Sequence, residues 1–286
     1  MNPILPPDEA LLRQFLVEAL YEDIGPGDYT ALATVPESAR GKAKLLAKAE
    51  GVVAGVAVAE RIFKHLDPSA EWEVLIPDGG RIRPGDVVFY VSAHSRALLM
   101  GERLALNCMQ RLSGVATLTR QYVEALRPYG TVLLDTRKTT PRFRFLEKWA
   151  VRVAGGTNYR DGLYDRFMIK DNHTDFCGSL PEAIHQVLRY KRDNNLSLDL
   201  TVEVRNLEEL QQALDTGGIQ RIMLDNFSPE LLRVAVERIA GRVESEASGG
   251  ITLENIAQYA ATGVQFISVG ALTHSYTSLD LSLKKV

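Results

Sequence analysis

The sequence predicts an α/β protein whose second half is an open or incomplete α/β barrel. Six apolar runs with the composition of buried strands recur after residue 130, and segments of helical periodicity separate them. The runs are TVLLD (131–135), RFMIK (166–170), LTVEV (200–204), RIMLD (221–225), RVESEAS (242–248) and QFISVG (265–270). The last four begin about 21 to 23 residues apart, which leaves room for a strand, a loop, a helix and a second loop. This alternation predicts a parallel sheet, with too few strands for a complete eightfold barrel.

Two other arrangements are consistent with the same pattern. An open, doubly wound sheet also alternates strands with helices, and residues 150–156 have room for a further strand. In each arrangement the strands are parallel, so their carboxyl ends meet on one side of the sheet. The side chains that follow each run are therefore the candidates for a shared site.

The first part of the chain predicts a smaller region of mixed helices and strands. Residues 8–20 place their apolar side chains on one helical stripe. Residues 42–91 combine strand-like runs, glycine-rich turns and one short helix. A long helical region follows from Arg96 to Leu126, and we expect it to break near Ser113 and Gly114.

The composition excludes several classes of protein. Of the 286 residues, 45% are hydrophobic and 24% are charged, which is typical of a soluble globular protein. The net charge of −3 provides no basic field for nucleic acid, so no nucleic-acid partner is expected. Cys108 and Cys177 are too far apart in sequence for a disulfide framework or a zinc motif, which favours a reducing cytoplasm. No signal peptide and no membrane span are expected.

Charged, polar or glycine residues follow all six predicted strands. They are Arg137 and Lys138, then Lys170 with Asn172 and His173, then Glu203, Asp225 with Asn226, Ser248 with Gly249 and Gly250, and finally Gly270. Any one of these residues could be explained by a salt bridge at the rim of the sheet. Six consecutive strands that end in this way favour a shared functional site. Because Arg137, Lys138, Arg160 and Lys170 are cations, the site is predicted to bind a ligand with several negative charges.

The segment Ser248–Gly249–Gly250 has the character of a phosphate-binding turn. Two glycines let the backbone approach an anion closely, and the segment precedes a predicted helix start with Thr252 as N-cap. Barrels often bind phosphate in the loops after their last strands, where Gly270 also lies. A glycine that merely ends a helix or strand is the alternative for Gly249 and Gly250 alone.

Glu203 and Asp225 are carboxylates at the ends of neighbouring predicted strands. They could hold a magnesium ion together with substrate phosphates, since Mg²⁺ is usually bound by one or two protein carboxylates and ligand oxygens. They could equally neutralise Lys138 or Lys170. The sequence does not separate these interpretations, which are compatible with each other.

The chain resembles the quinolinate phosphoribosyltransferase family. The segments that match are EDIGPGDYT (22–30), GERLALN (101–107), DTRKTTP (135–141), LDN (224–226), SGGI (248–251) and SVGALTHS (268–275), in order along nearly the whole chain. The resemblance implies an N-terminal α/β sandwich domain, residues 1–114, joined by the C-terminal tail 275–286. It places the α/β barrel at 115–274. It also implies a homodimer in which Arg103 of one subunit completes the active site of the other.

The implied activity is that of a carboxylating nicotinate-nucleotide diphosphorylase, a pentosyltransferase of NAD biosynthesis. With Mg²⁺, quinolinate and phosphoribosyl pyrophosphate would give nicotinate mononucleotide, pyrophosphate and CO2. The resemblance assigns quinolinate binding to Arg103, Arg137, Tyr159, Arg160 and Lys170. It assigns phosphate binding to Ser248, Gly249, Gly250, Gly270 and His274. It assigns catalysis to Lys138, Glu203 and Asp225, the last two at the metal.

One position departs from the family pattern. Tyr159 stands where the family usually has a histidine, and a tyrosine cannot become cationic near neutral pH. Two alternatives therefore accompany the main interpretation. One is a related, molybdate-transport-associated phosphoribosyltransferase that acts on another ring acid, and the other is a non-catalytic dicarboxylate sensor. Lys170, in the segment IKDNH, favours the quinolinate enzyme.

Overall fold

A computed structural model of the chain describes residues 6–286 and contains the helices and strands in the following order. The first half contains α1 (Glu9–Ile24), α2 (Tyr29–Thr34), β1 (Arg40–Ala47), β2 (Gly51–Val52), α3 (Val56–Leu66), β3 (Glu71–Val74), β4 (Arg81–Ile82), β5 (Val87–His94) and α4 (Ser95–Leu126). The second half contains β6 (Val132–Leu134), α5 (Arg144–Val153), β7 (Phe167–Ile169), α6 (Asp171–Cys177), α7 (Leu180–Asp193), β8 (Leu200–Val204), α8 (Leu207–Thr216), β9 (Arg221–Asp225), α9 (Pro229–Ile239), β10 (Glu244–Ser248), α10 (Ile256–Ala260), β11 (Phe266–Ser268), α11 (Ala271–His274) and β12 (Leu281–Lys285).

The parallel sheet forms from the six predicted runs. Its strand order is β6-β11-β10-β9-β8-β7, and every neighbouring pair is parallel. In the part of the chain that the structure describes, β6 and β7 each pair with one named strand, so the sheet is an incomplete α/β barrel. The expected fold class is therefore confirmed, and the doubly wound order is not observed.

The register places polar side chains on one face of this sheet. Thr201 is opposite Arg221, and Glu203 is opposite Met223. Because side chains alternate along a strand, Thr201 and Glu203 in β8 share a face with Arg221 and Asp225 in β9. The alternate residues of β8 and β9, Val202, Val204, Ile222 and Leu224, are fully buried and apolar. One face of the sheet therefore forms an apolar core, and the other carries charged groups.

Residues 150–156 do not form the additional strand that the sequence allowed. Residues 150–153 are the end of helix α5, in which Leu146 and Trp149 are buried. The chain becomes extended only at Thr157, which makes an isolated parallel bridge with Leu134. A short apolar run is compatible with either structure, and here its packing within a buried helix decides.

The first half forms a separate antiparallel sheet with the order β12-β1-β5-β3. The C-terminal strand β12 pairs with β1, where Leu283 is opposite Leu45. Leu12, Leu16 and Leu20 are the buried part of the predicted stripe in α1. The C-terminal tail thus completes the sheet of the first half of the chain.

Helix α4 is continuous, so the expected break at Ser113 and Gly114 is wrong. Ser113 Oγ accepts a hydrogen bond from the Ala54 backbone N–H at 3.0 Å. A Cβ at Gly114 would lie 2.3 Å from the Thr277 carbonyl oxygen. These two small residues let neighbouring backbone pack directly against the helix, which explains them without a kink.

Internal contacts divide the chain into two compact units. The first contains the described residues up to Arg120, with Thr139–Gly155 and Leu272–Val286. The second, called the barrel unit here, contains Gln121–Lys138 and Gly156–Ala271. The predicted domain boundary at residue 114 falls within α4, six residues before the end of the first unit's main segment.

Candidate active site

An ion pair joins the ends of β7 and β8. Lys170 Nζ lies 2.6 Å from Glu203 Oε2, because Ile169 is opposite Val202 and the next residue of each strand is therefore in register. The Glu203 side chain is 8% exposed and the Lys170 side chain 43% exposed. The His173 ring holds the backbone of Lys170, whose N–H donates to Nδ1 at 3.1 Å. Lys170 is therefore fixed at its backbone and accessible at its charge.

Asp225 is oriented by hydrogen bonds from two side chains. Ser248 Oγ donates to its Oδ1 at 2.7 Å, and Asn226 Nδ2 donates to its Oδ2 at 2.6 Å. Ser248 is directly opposite Asp225 in the parallel pair of β9 and β10. The carboxylate is half-buried, so these bonds orient it without withdrawing it from solvent.

The turn after β10 packs closely against the end of β9. Asn226 and Gly249 both have positive φ, 57° and 88°, and a Cβ at Gly249 would lie 2.3 Å from Asn226 Oδ1. Gly250 has φ 62°, and open space surrounds the position of its Cβ. Glycine is required at 249 by this close approach and favoured at 250 by its backbone conformation. The backbone N–H groups of the turn lie beside Asp225 and Ser248.

The predicted helix start at Thr252 is wrong. Helix α10 begins at Ile256 and is five residues long. The Thr252 N–H donates to Asn255 Oδ1 at 2.8 Å, and the Thr252 carbonyl accepts from the Ile256 N–H at 3.0 Å. A hydrogen-bonded turn over residues 252–256 thus precedes the helix. Any anion bound here would contact the glycine turn and not a helix N-terminus.

A buried carboxylate follows β6 and holds the segment that leads to Arg160. Asp135 is fully buried, and it accepts hydrogen bonds from Asn158 Nδ2 at 2.5 Å and from the Tyr159 backbone N–H at 2.8 Å. Arg160 follows directly and is buried. Burial lowers the pKa of Arg160, and the positive charge of Arg137 lowers that pKa further. The charge of Asp165 raises this pKa, and the two guanidinium groups remain close enough to repel each other.

Tyr159 does not present its phenol at the strand ends. Its hydroxyl lies 2.6 Å from Thr201 Oγ1, near the beginning of β8. Burial raises the pKa of the phenol to about 12, with a further contribution from the charge of Glu246. The hydroxyl is therefore neutral at physiological pH.

The remaining predicted site residues fall into two groups. Lys138 is exposed and Gly270 half-buried, and both belong to the barrel unit with Arg137, Arg160, Lys170, Glu203, Asp225, Ser248, Gly249 and Gly250. Arg103 and His274 belong to the first unit. Arg103 is exposed on α4, and His274 Nδ1 lies 2.7 Å from Ser275 Oγ.

Sequence reasoning missed the groups that support the site from within the barrel. The sequence pattern assigns no role to Asp135 beyond the end of a strand and none to Arg221 or Glu246. Arg221 Nη1 lies 3.2 Å from Glu246 Oε2, and both side chains are buried. Charged residues within predicted buried strands, Arg221 at the start of RIMLD and Glu246 inside RVESEAS, are the signal that could identify such a pair.

The donor set is compatible with magnesium held mainly by substrate oxygens. Within residues 6–286 no group of three or more His, Cys, Asp or Glu side chains could hold a metal ion. Glu203 and Asp225 offer one carboxylate each at the ends of adjacent strands. Mg²⁺ commonly uses one or two carboxylates together with phosphate oxygens and water, so these residues fit such an ion.

The geometry defines an α/β barrel protein with cationic side chains near the ends of its parallel strands. Comparison with known proteins identifies its family. Residues 115–284 match the C-terminal domain of quinolinate phosphoribosyl transferase, and residues 28–113 match its N-terminal domain. The chain therefore belongs to the quinolinate phosphoribosyltransferase family.

Relatives named as nicotinate-nucleotide pyrophosphorylases support this assignment over nearly the full length of the chain. The chain is 44% identical over 288 residues to the chloroplastic nicotinate-nucleotide pyrophosphorylase [carboxylating] of Arabidopsis thaliana, covering 96% of this chain and 82% of that protein. It is 41% identical over 272 residues to the probable nicotinate-nucleotide pyrophosphorylase [carboxylating] of Bacillus subtilis, covering 95% and 92%. The solved nicotinate-nucleotide pyrophosphorylase of Francisella tularensis superimposes with a TM-score of 0.91 at 36% identity, covering 100% of both chains.

Proposed function

We propose that this protein transfers the phosphoribosyl group of phosphoribosyl pyrophosphate to quinolinate and removes one carboxylate. The products are nicotinate mononucleotide, pyrophosphate and CO2, in NAD biosynthesis. The names of its relatives and the family match over both domains support this activity. The arrangement of cations and glycines in the barrel unit supports it independently.

The observation that carries the proposal is the pair of guanidinium groups at Arg137 and Arg160. Burial and the positive charge of Arg137 lower the pKa of Arg160, whereas the charge of Asp165 raises it, so the two guanidinium groups repel each other beside an existing acidic partner. A pyridine dicarboxylate relieves this repulsion, because arginine binds carboxylates through two parallel hydrogen bonds. Lys170 adds a third positive charge, which becomes available when its bond to Glu203 opens.

The sugar diphosphate has its own set of groups. We assign its 5′-phosphate to the backbone N–H groups around Ser248, Gly249 and Gly250, with Gly270 and His274 as further contacts. Lys138 is exposed and suits a flexible, point-charge interaction with pyrophosphate. Glu203 and Asp225 would hold Mg²⁺, which when bound neutralises the charge of the leaving pyrophosphate.

The reaction requires one bond to break before the carboxylate is lost. The bond between ribose C1 and pyrophosphate breaks, the pyrophosphate leaves with the electron pair, and the pyridine nitrogen forms the new bond to C1. Glu203 and Asp225 stabilise the positive charge that develops on the ribose. The cationic ring then accepts the electrons of the departing carboxylate as CO2 leaves, and a proton takes its place. Arg137 and Arg160 hold the carboxylate that remains.

We also propose a homodimer with shared active sites in the cytoplasm. Arg103 supports the dimer, since it matches the family motif and is exposed on a different unit from the other quinolinate residues. Both cysteines are free thiols, which is compatible with a reducing compartment. Among the helices described, none has the length and apolar character to cross a membrane.

A mixed dimer tests the shared site. Subunits with Arg103→Ala and subunits with Lys170→Ala are co-expressed with different tags and purified as heterodimers. If Arg103 acts across the interface, each heterodimer regains one working site and roughly half of the wild-type turnover. Heterodimers that remain inactive, although each parent folds and dimerises, would exclude this arrangement.

A pyrophosphate-release assay on purified protein tests the proposed reaction. Quinolinate, nicotinate and other pyridine acids are each assayed in the presence of phosphoribosyl pyrophosphate and Mg²⁺. The release of CO2 is measured in parallel. We expect that quinolinate is the one ring acid that is converted, and that it gives equal amounts of pyrophosphate and CO2. Turnover of a different ring acid would indicate the molybdate-transport-associated type. Binding of dicarboxylate without release of pyrophosphate would indicate a sensor.

A further inference from the structure

Tyr159 connects the quinolinate-binding segment to the interior of the barrel. Its hydroxyl lies 2.6 Å from Thr201 Oγ1. Thr201 precedes Glu203 by two residues in β8, and both side chains are on the same face of the sheet. Two residues of strand span about 7 Å, so the phenol lies about one layer below the Lys170–Glu203 ion pair.

The ring of Tyr159 is held between two arginines. The guanidinium carbons of Arg166 and Arg221 lie 5.2 Å and 4.9 Å from its centroid. Arg221 also lies 3.8 Å from the centroid of Phe266. These are attractive cation–π contacts, and they suit a neutral aromatic ring. A protonated imidazole at this position would add a third positive charge.

Two acidic residues form ion pairs with the arginine next to the ring. Arg221 Nη2 lies 2.7 Å from Glu244 Oε2, and its Nη1 lies 3.2 Å from Glu246 Oε2. Glu246 is fully buried and Arg221 nearly so. Arg221 is therefore paired with two carboxylates of the protein itself.

The other end of Tyr159 is held at the strand ends. Its backbone N–H donates to Asp135 Oδ1 at 2.8 Å, and Asn158 Nδ2 donates to Asp135 Oδ2 at 2.5 Å. Residue 159 is thus bound through its backbone to the end of β6 and through its phenol to the beginning of β8. The next residue in the chain is Arg160.

We propose that Tyr159 is a positioning residue that fixes Arg160 for the ring dicarboxylate through its hydrogen bond to Thr201. The phenol itself does not contact the substrate. This inference rests on the proposed function, and it differs from the direct quinolinate contact that the resemblance implies for position 159. The Tyr159 side chain has interior partners, the network of Thr201, Arg221 and Glu246, in place of the substrate.

A double-mutant cycle tests the proposal through quinolinate affinity. Tyr159→Phe removes the hydroxyl and keeps the ring between the arginines, and Thr201→Val removes its partner. The dissociation constants of quinolinate and of phosphoribosyl pyrophosphate are measured by calorimetry. We expect each single variant to weaken quinolinate binding by roughly 3- to 10-fold, the loss expected for one hydrogen bond. We expect the double variant to be no weaker than either single one, and phosphoribosyl pyrophosphate binding to be unchanged.

Two further variants serve as controls. Thr201→Ser keeps the hydroxyl and should bind quinolinate like the wild type. Tyr190→Phe removes a hydroxyl from an exposed tyrosine of the barrel unit and should have no effect. Circular dichroism and the midpoint of urea unfolding establish that each variant is folded. If Tyr159→Phe does not fold, the comparison of Thr201→Val with Thr201→Ser still measures the role of the hydrogen bond.

Three results would overturn the inference. Tyr159→Phe could weaken quinolinate binding by the same factor in the Thr201→Val background, which would mean that the phenol acts through the substrate or through Glu246 and not through Thr201. Both single variants could bind quinolinate like the wild type, which would exclude any role of this bond in the site. If the wild type itself does not bind quinolinate, the proposed function and this inference fail together. If it binds quinolinate but releases no pyrophosphate, the proposed function alone fails and the cycle still decides the role of Tyr159.

Discussion

Two ion pairs of the barrel unit have similar chemistry and opposite environments. Lys170 and Glu203 pair at the strand ends, where the lysine side chain is 43% exposed. Arg221 and Glu246 pair inside the barrel, where the side chains are 6% and 0% exposed. The first pair can exchange its internal bond for a ligand, because water and solutes reach the lysine. The second pair has no access to a ligand and can only hold the structure together.

The two pairs also differ in their position along the strands. Lys170 follows β7 and Arg221 begins β9, so the two cations lie at opposite ends of parallel strands. In barrels of this kind, chemistry takes place at the carboxyl ends. Arg221 lies away from those ends and is buried.

Loss of the interior cation should have the largest effect. Arg221→Met leaves Glu246 buried without its arginine, and we expect the free energy of unfolding to fall by about 3–5 kcal/mol. The loss should be greater at pH 8 than at pH 5. Burial raises the pKa of Glu246, so the folded state retains a proton that the unfolded state releases above about pH 4.3. Stability is therefore lost as the pH rises through this window.

Urea unfolding at pH 5 and pH 8 measures this effect. Arg192→Met, a substitution of an arginine of α7 whose side chain is 75% exposed, is the control for loss of a positive charge. An Arg221→Met variant that is as stable as the wild type at both pH values would show that the interior pair does not stabilise the barrel.

Loss of the cation at the strand ends should affect turnover more than stability. For Lys170→Met we expect kcat/KM to fall at least about 30-fold, since the removal of one partner of a charged contact with substrate costs about 2–5 kcal/mol. The free energy of unfolding should fall by less than in Arg221→Met, because the lysine is half exposed, although its loss leaves the buried Glu203 carboxylate without this partner. Steady-state kinetics and urea unfolding are measured on the same preparation. A large loss of stability with normal kinetics would reverse the roles of the two pairs.

The dependence of turnover on Mg²⁺ distinguishes a metal-binding role of Glu203 and Asp225 from a role as counter-charges to the lysines. Chelation by EDTA should abolish turnover, and excess Mg²⁺ should restore it. Asp225→Ala should lower kcat by about 10- to 100-fold with little change in quinolinate affinity, as expected for a group that acts on the developing charge. Full activity in excess EDTA would leave Glu203 and Asp225 as counter-charges only.

Substitutions of the two glycines after β10 should have smaller effects on substrate binding, and these effects should differ between the two positions. Gly249→Ala forces its Cβ against Asn226, whereas Gly250→Ala meets open space and has only an unfavourable positive φ. We expect Gly249→Ala to raise the KM for phosphoribosyl pyrophosphate several-fold more than Gly250→Ala. The KM for quinolinate should be similar in both. Equal effects of the two substitutions would mean that the close approach to Asn226 does not shape the turn.

The sequence predicts the strand ends of the barrel better than its interior. The runs RIMLD and LTVEV correspond to β9 and β8 residue for residue, because fully buried parallel strands are continuous apolar runs with charged ends. Residues 150–153 were ambiguous since a short apolar run suits a strand or a buried helix equally. The packing of neighbouring helices and strands decides between a strand and a helix there.

The pairing of Arg221 with Glu246 could not be read from the sequence. These residues lie on different strands, and their contact depends on the register of β9 against β10. The role of Tyr159 depends in the same way on Thr201, 42 positions further along the chain. Side chains at the strand ends can be predicted from local pattern, whereas partners inside the barrel require the three-dimensional pairing.

The most direct test of the account is the affinity of quinolinate for the Arg137→Ala variant, measured by calorimetry beside the affinity for phosphoribosyl pyrophosphate. Because the two guanidiniums at Arg137 and Arg160 are proposed to bind the dicarboxylate, we expect quinolinate binding to weaken by about 2–5 kcal/mol. Phosphoribosyl pyrophosphate should bind as it does to the wild type. Equal quinolinate affinity in a folded Arg137→Ala variant and in the wild type would contradict the account.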